Sequence, residues 1–267
     1  MKITALAAVF GLGFSALAAA HPTWMLPSHF SVSKAEGDWI TFDYTASHTA
    51  FQVDKPASAH DARVLLPSGA SVSPDHILRG KRRSVFDFYF EEAGTHKVTV
   101  NSQAPRYMTI YTDRQGNRGR RGANKIDRDN HVPRGAQNIQ TLESTQQTES
   151  YITVMAPTPI KARNQGFEML PITHPSDLIA GEAFTVRYLV DGKPVEGLTV
   201  NITREGALYR AAQEAIESTT NAQGDAVFTA PIAGRYLLAA EYRYAIDSPL
   251  ADMRAGTINT TLEVQPK

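Results

Sequence analysis

An all-β fold built as two β-sandwich domains is what this sequence predicts, and three observations carry the prediction. Short runs alternate apolar and polar residues with period two, and the apolar members are aromatic or β-branched. Gly- and Pro-bearing turn signals separate these runs at short intervals. The chain has 267 residues, 42% hydrophobic and 20% charged, which is room and composition for two folded domains.

The first segment lies outside that fold. Lys2 starts it, Ala5 to Leu17 is almost wholly apolar, and Ala18, Ala19 and Ala20 are the small residues a signal peptidase requires. Residues 1–20 therefore read as a cleaved secretory signal, too short and weakly flanked for a stable membrane anchor. No cysteine follows it to carry a lipid, and no later stretch is apolar enough to span a bilayer. The expected product is an exported, periplasmic chain with no transmembrane segment.

Residues 21–156 read as the first sandwich. Ile40, Phe42, Tyr44 and Ala46 form one strand face, and Phe86, Phe88 and Phe90 another. Val98 with Val100, Met108 with Ile110, and Ile152 with Val154 continue the alternation. Pro67-Ser68-Gly69 and Glu92-Ala93-Gly94 mark turns. Trp24 and Trp39 are expected to fill this core, and Lys81-Arg82-Arg83 to form a charged edge that blocks strand pairing. Residues 157–175, with four prolines and little periodicity, read as a linker.

Strands resume across residues 176–267. Phe184, Val186, Tyr188 and Val190 form one face, and Asp191-Gly192-Lys193-Pro194 a tight turn. Leu198, Val200 and Ile202 follow; Asn221 to Gly224 is a hairpin turn; Tyr236, Leu238, Ala240 and Tyr242 form the next face. Ile258, Thr260, Leu262 and Val264 close the chain. About seven strands in some 95 residues fit an immunoglobulin-like sandwich. Ala211–Ser218 has local helix propensity.

Composition removes whole classes of function. Lys plus Arg equals Asp plus Glu at 27 each, so no global field draws nucleic acid. Cysteine is absent, which excludes disulfides, thiolate metal sites, iron–sulfur clusters and thiol nucleophiles together. No Gly-x-Ser-x-Gly elbow, His-Glu-x-x-His, phosphate loop or dinucleotide fingerprint occurs. One excursion stands out: Arg106 to Arg134 holds eight basic residues against three aspartates, and a Gln-, Thr- and Ser-rich stretch, Gln137 to Ser150, follows. It lacks interleaved aromatics, which argues against single-stranded nucleic acid, and it reads as solvated loop, with attraction to an anionic surface such as lipopolysaccharide or phospholipid headgroups as the alternative.

The chemistry then falls to eight histidines and six methionines. A cut after Ala20 makes His21 the first residue of the exported chain. Its free α-amine and its imidazole Nδ1 can close a chelate ring, and one more histidine completes a T-shaped N3 set of the kind divalent copper and nickel prefer. The α-amine titrates at about 7.7–8.0, so a metal displaces its proton readily at neutral pH. His48 ends the first long strand, His174 lies in the linker between Pro171 and Pro175, and His131 ends the basic excursion. His29 is a further alternative, Met25 sits in an apolar segment that favours packing, and His60, His76 and His96 are expected at the surface.

Several segments together resemble one exported bacterial family, the domain of unknown function numbered 4198. They are His21-Pro22-Thr23-Trp24-Met25-Leu26-Pro27 and Ala46-Ser47-His48, then Gly80 to Asp87, Phe167 to Gly181, and Asp191 to Gly197. Part of that family is described as nickel-uptake substrate-binding components. The resemblance implies periplasmic handling of a divalent transition metal, nickel or cobalt before copper or iron, with a membrane metal transporter as partner. The terminal histidine is also similar to that of histidine-brace copper proteins.

The expected function is thus metal capture for uptake or delivery, with His21, His48, His174 and His131 as candidate ligands. No enzyme activity and no nucleic-acid partner is expected. The alternatives are a histidine-brace copper oxidoreductase, which needs an exposed aromatic face around His21, and a metal-free structural or adhesive module.

Overall fold

The computed structural model describes residues 22–102, 104–211 and 214–267. The segment 1–20 and His21 lie outside the described residues. The first half comprises β1 (Thr23–Pro27), β2 (Ser31–Val32), β3 (Asp38–Ala46), β4 (Lys55–Pro56), β5 (Ala62–Leu65), β6 (Ser71–Val72), β7 (Asp75–Arg79), β8 (Ser84–Phe90) and β9 (Gly94–Asn101). The middle holds β10 (Arg106–Thr112), β11 (Arg118–Arg121) and the long β12 (Gln137–Val154). The second half adds β13 (Phe167–Pro171), β14 (Ala183–Val190), β15 (Lys193–Pro194), β16 (Thr199–Arg204), β17 (Ile216–Thr219), β18 (Asp225–Thr229), β19 (Gly234–Ala245) and β20 (Met253–Val264). Helix is confined to single 3-10 turns at Arg128–Asn130, Pro175–Asp177 and Ala207–Tyr209. The protein is all-β.

Three sheets form two cores. A central sheet runs β17-β16-β19-β20-β12-β9-β5-β6, with β10 and β11 extending it beside β12. Against one end packs the sheet β1-β3-β8-β7, and against the other packs β13-β14-β15 with β18. Period-two alternation sends opposite side chains of β12 to the two cores. Ile152 and Val154 enter the first, with Phe42, Phe86, Val98 and Val100. Tyr151 enters the second, with Tyr188, Phe228, Leu238 and Ile258. The outer sheets therefore lie on opposite faces of the central one.

The second core has immunoglobulin-like strand order. One layer is β13-β14-β18, and the other runs β20-β19-β16-β17, matching the A-B-E and G-F-C-C′ layers. Near the start of β19 the buried Tyr236 donates its hydroxyl to the carbonyl of Ile232, four residues upstream, as a tyrosine corner does. Asp191 and Gly192 both adopt positive φ, 49° and 77°, the conformation a two-residue hairpin needs to match strand twist.

Several elements differ from the sequence expectation. Ile216–Thr219, overlapping the end of the Ala211–Ser218 segment of helix propensity, is a strand, because Ile216 pairs with Ile202 and tertiary pairing overrides a weak local preference. Gln137 to Ser150 belongs to the longest strand of the fold, although it reads as polar loop. The basic excursion forms the β10–β11 hairpin, and Lys125 and Arg128 both pair with Asp252 in front of β20. Trp24 is buried beside Phe51, but Trp39 is 50% exposed, since Ile40, Phe42 and Tyr44 take the inward positions of β3. His96 is the reverse case: it is 1% exposed, because it shares the inward face of β9 with Val98 and Val100. Gly80 to Arg83 closes the β7–β8 hairpin, with Arg83 on Asp43 at 2.8 Å.

Candidate functional site

The N-terminal strand positions the site. β1 pairs antiparallel with β3, Thr23 opposite Ala46 and Pro27 opposite Phe42. Thr23 and Met25 share the inward face of β1: Met25 points into the first core, and Thr23 reaches the hydroxyl of Thr148 on β12. Beyond the strand end, the Ser47 N–H donates to the Pro22 carbonyl at 2.9 Å. His48, exposed, follows Ser47, so it stands beside the point where the chain enters β1.

Pro22 also borders a cavity of about 510 Å³. Its floor is the face of the central sheet that the β1-β3-β8-β7 sheet leaves uncovered. Strand register puts these side chains on one face: Ser144 opposite Arg106 and Ala255, Gln146 opposite Thr257, and Asn259 opposite Ala239. Arg120 joins them from β11, and Glu241 and Arg243 from β19, the last two paired at 2.9 Å. Asn259 is 1% exposed, and neither atom of its amide has a hydrogen-bond partner among the described residues. The sequence reading missed this set. The sequence carries no signal for it: Ser144, Gln146 and Thr148 alternate with Thr145, Gln147 and Glu149, which are polar as well, so no period-two pattern sets the strand apart from a loop.

The other histidines stand apart from His48. His174 caps the Pro175–Asp177 turn: its Nδ1 accepts from the Ser176 N–H at 3.1 Å, and its Nε2 lies 2.9 Å from the Thr95 hydroxyl. Burial lowers its pKa, against the pull of Asp177. Thr95 pairs with Thr153, five residues along β12 from Thr148, about 17 Å at 3.3 Å per residue. His131 is exposed at the end of the Arg128–Asn130 turn, and Arg128 contacts Thr141, about 23 Å along β12 from Thr148. His29 lies 3.1 Å from the Ser28 hydroxyl. Among the described residues, no group of three or more His, Asp or Glu side chains is placed to hold a metal.

Among the described residues, no helix is long and apolar enough to cross a membrane. No curated protein matches the chain. Solved structures similar to it include the D0-D1 domain of intimin, at 10% identity and a TM-score of 0.24, covering 92% of this chain and 98% of that one. The Yersinia pseudotuberculosis adhesin InvE is similar at 12% identity and a TM-score of 0.24, covering 91% of this chain and 58% of that one. Likeness at this level says nothing about function. The family described as "Domain of unknown function (DUF4198)" matches residues 18–244. With most of its length so matched, the chain belongs to the DUF4198 family.

Proposed function

We propose that the exported chain, cut after Ala20, captures a divalent transition metal at His21 and His48 and passes it on for uptake. Nickel or cobalt is the favoured metal, with copper or iron as alternatives, and a membrane transporter is the recipient. The observation that carries this reading is the hydrogen bond between the Ser47 N–H and the Pro22 carbonyl. His48 is joined to Ser47 and His21 to Pro22. Covalent geometry alone then keeps the two α-carbons within about 13 Å, two peptide steps plus one strand spacing.

The ligand set is the α-amine and Nδ1 of His21 with the imidazole of His48. Metal and proton compete for the same imidazole nitrogens, so affinity falls as pH is lowered. A copper oxidoreductase acting on polysaccharide needs exposed aromatics around the metal. The exposed Trp39, beside Tyr89 at 5.4 Å, stands at the far end of β3, and the exposed Tyr209 lies in the Ala207–Tyr209 turn of the second half. Trp39 is seven residues from Ala46, about 23 Å along the strand, which favours capture over oxidation.

The test compares the chain beginning at His21 with one carrying a single extra N-terminal residue. The extra residue turns the α-amine into an amide, so nickel or copper should bind at least about tenfold more weakly, or about 1.4 kcal/mol. His48→Ala should weaken binding as well, and His174→Ala should not. Equal affinity for both termini in a competition titration overturns the proposal.

A further inference from the structure

We propose that the cavity beside Pro22 is a binding site for a small organic anion, a carboxylate that also carries hydroxyl or amide groups. This is a second site, and its argument is independent of the metal. A volume of about 510 Å³ is that of a small-molecule pocket. At one end, Arg106 and Arg120 line the cavity, and neither guanidinium has an ion-pair or hydrogen-bond partner among the described residues. A guanidinium offers a planar fork of donors that matches a carboxylate. The acidic group on the same floor, Glu241, is held by Arg243 at 2.9 Å, so it does not oppose an incoming anion at the other two arginines.

At the other end lies Asn259. A buried side-chain amide is almost always hydrogen-bonded, and this one has neither donor nor acceptor satisfied among the described residues. Thr148 stands opposite Asn259 on the neighbouring strand, and its hydroxyl is engaged with Thr23. Asn259 lines the cavity with its amide buried in the wall, and the unused acceptor and two donors of that amide suit a hydroxyl or carboxamide and not a bare ion. Ser144, Gln146 and Thr257 add polar groups between the two ends, and Ala239, Ala255 and Met108 keep the remaining wall apolar. A site with an anion fork at one end and an amide at the other recognises length as well as charge.

The experiment is calorimetric titration of the protein in the presence of EDTA, with citrate, gluconate and N-acetylglutamate as probes and inorganic phosphate and glucose as comparison ligands. At least one carboxylate should bind, and glucose should not. Arg106→Ala combined with Arg120→Ala should weaken that carboxylate at least tenfold; both residues are exposed, so folding is preserved. Asn259→Leu should also weaken it at least tenfold. Absence of binding by all three carboxylates overturns the proposal, as does affinity unchanged in both variants. Phosphate binding as tightly as the best carboxylate, and equally in Asn259→Leu, overturns the two-ended site. Because EDTA removes metal, failure here leaves the metal reading standing, and failure of the His48→Ala test leaves this site standing.

Discussion

Asn259 and His96 are buried polar side chains without hydrogen-bond partners among the described residues, and they make different predictions. An unpaired buried amide costs about 1–3 kcal/mol, so replacing it by an apolar group of similar size relieves that cost. Asn259→Leu should leave stability in urea unchanged or raise it by about 1 kcal/mol, while ligand binding falls. A clear loss of stability would show that the amide is a structural bond. His96 packs edge-on against Phe90, with ring centroids 5.0 Å apart. Burial pushes its pKa below the ordinary 6.5, outweighing the upward pull of Glu92. The unfolded chain then binds a proton at His96 that the folded chain resists. Its contribution to stability is present above pH about 6.5 and is lost as pH falls toward the lower folded value. Unfolding midpoints measured from pH 8 to 5 should decline, and His96→Leu should remove part of that slope; an unchanged slope would assign it to other groups.

The decisive element is β12, and polar pairings hold much of it. Glu149 is fully buried and pairs with Lys97 at 2.7 Å, while the Thr260 hydroxyl donates to it at 3.1 Å. Removing one partner of a buried pair strands the other charge, at about 3–5 kcal/mol. Glu149→Ala alone should cost that much in urea, and the double variant Glu149→Ala with Lys97→Met should recover most of it. Equal losses in both would show that no stranded charge is involved. At the other end of the strand, Asp252 ties the excursion down. Burial raises its carboxyl, but the Thr141 N–H, Lys125 and Arg128 together bring it below the ordinary 3.8. Its contribution is complete above pH about 4 and disappears as pH falls through the lower folded value. Asp252→Asn should therefore lower stability at pH 7 and flatten the acid limb of the stability profile. An acid limb as steep as that of the unchanged protein would contradict this.

At the scale of the molecule, the two cores share one sheet. β12 and β20 pair in parallel from Leu142 with Met253 to Ser150 with Thr261, so residues far apart in sequence close the central sheet. Loss of either strand opens an edge of nine residues in the other, and open edges invite association. Thermal unfolding of the whole chain should be one cooperative transition. A fragment starting at Ile172 should self-associate in sedimentation, because β20 has lost β12. Two separated transitions, or a monomeric fragment with full strand content, would instead show that each sandwich is independently stable.

Much of this architecture is legible in the residues. Period-two runs such as Phe86, Phe88 and Phe90 locate strands, because a half-buried strand must alternate. The Asp191-Gly192 turn declares itself through the backbone it requires, and family membership is carried by segments that include the Thr23–Pro27 strand. His48 is legible as a strand-end histidine. Only tertiary structure decides that Pro22 meets Ser47, that Gln137 to Ser150 is a central strand, and that Asn259, Arg106 and Arg120 share one cavity. Alternation reports which face a side chain takes along its own strand. It carries no information about which strand lies alongside, and a polar strand between two neighbours leaves the same local pattern as a solvated loop.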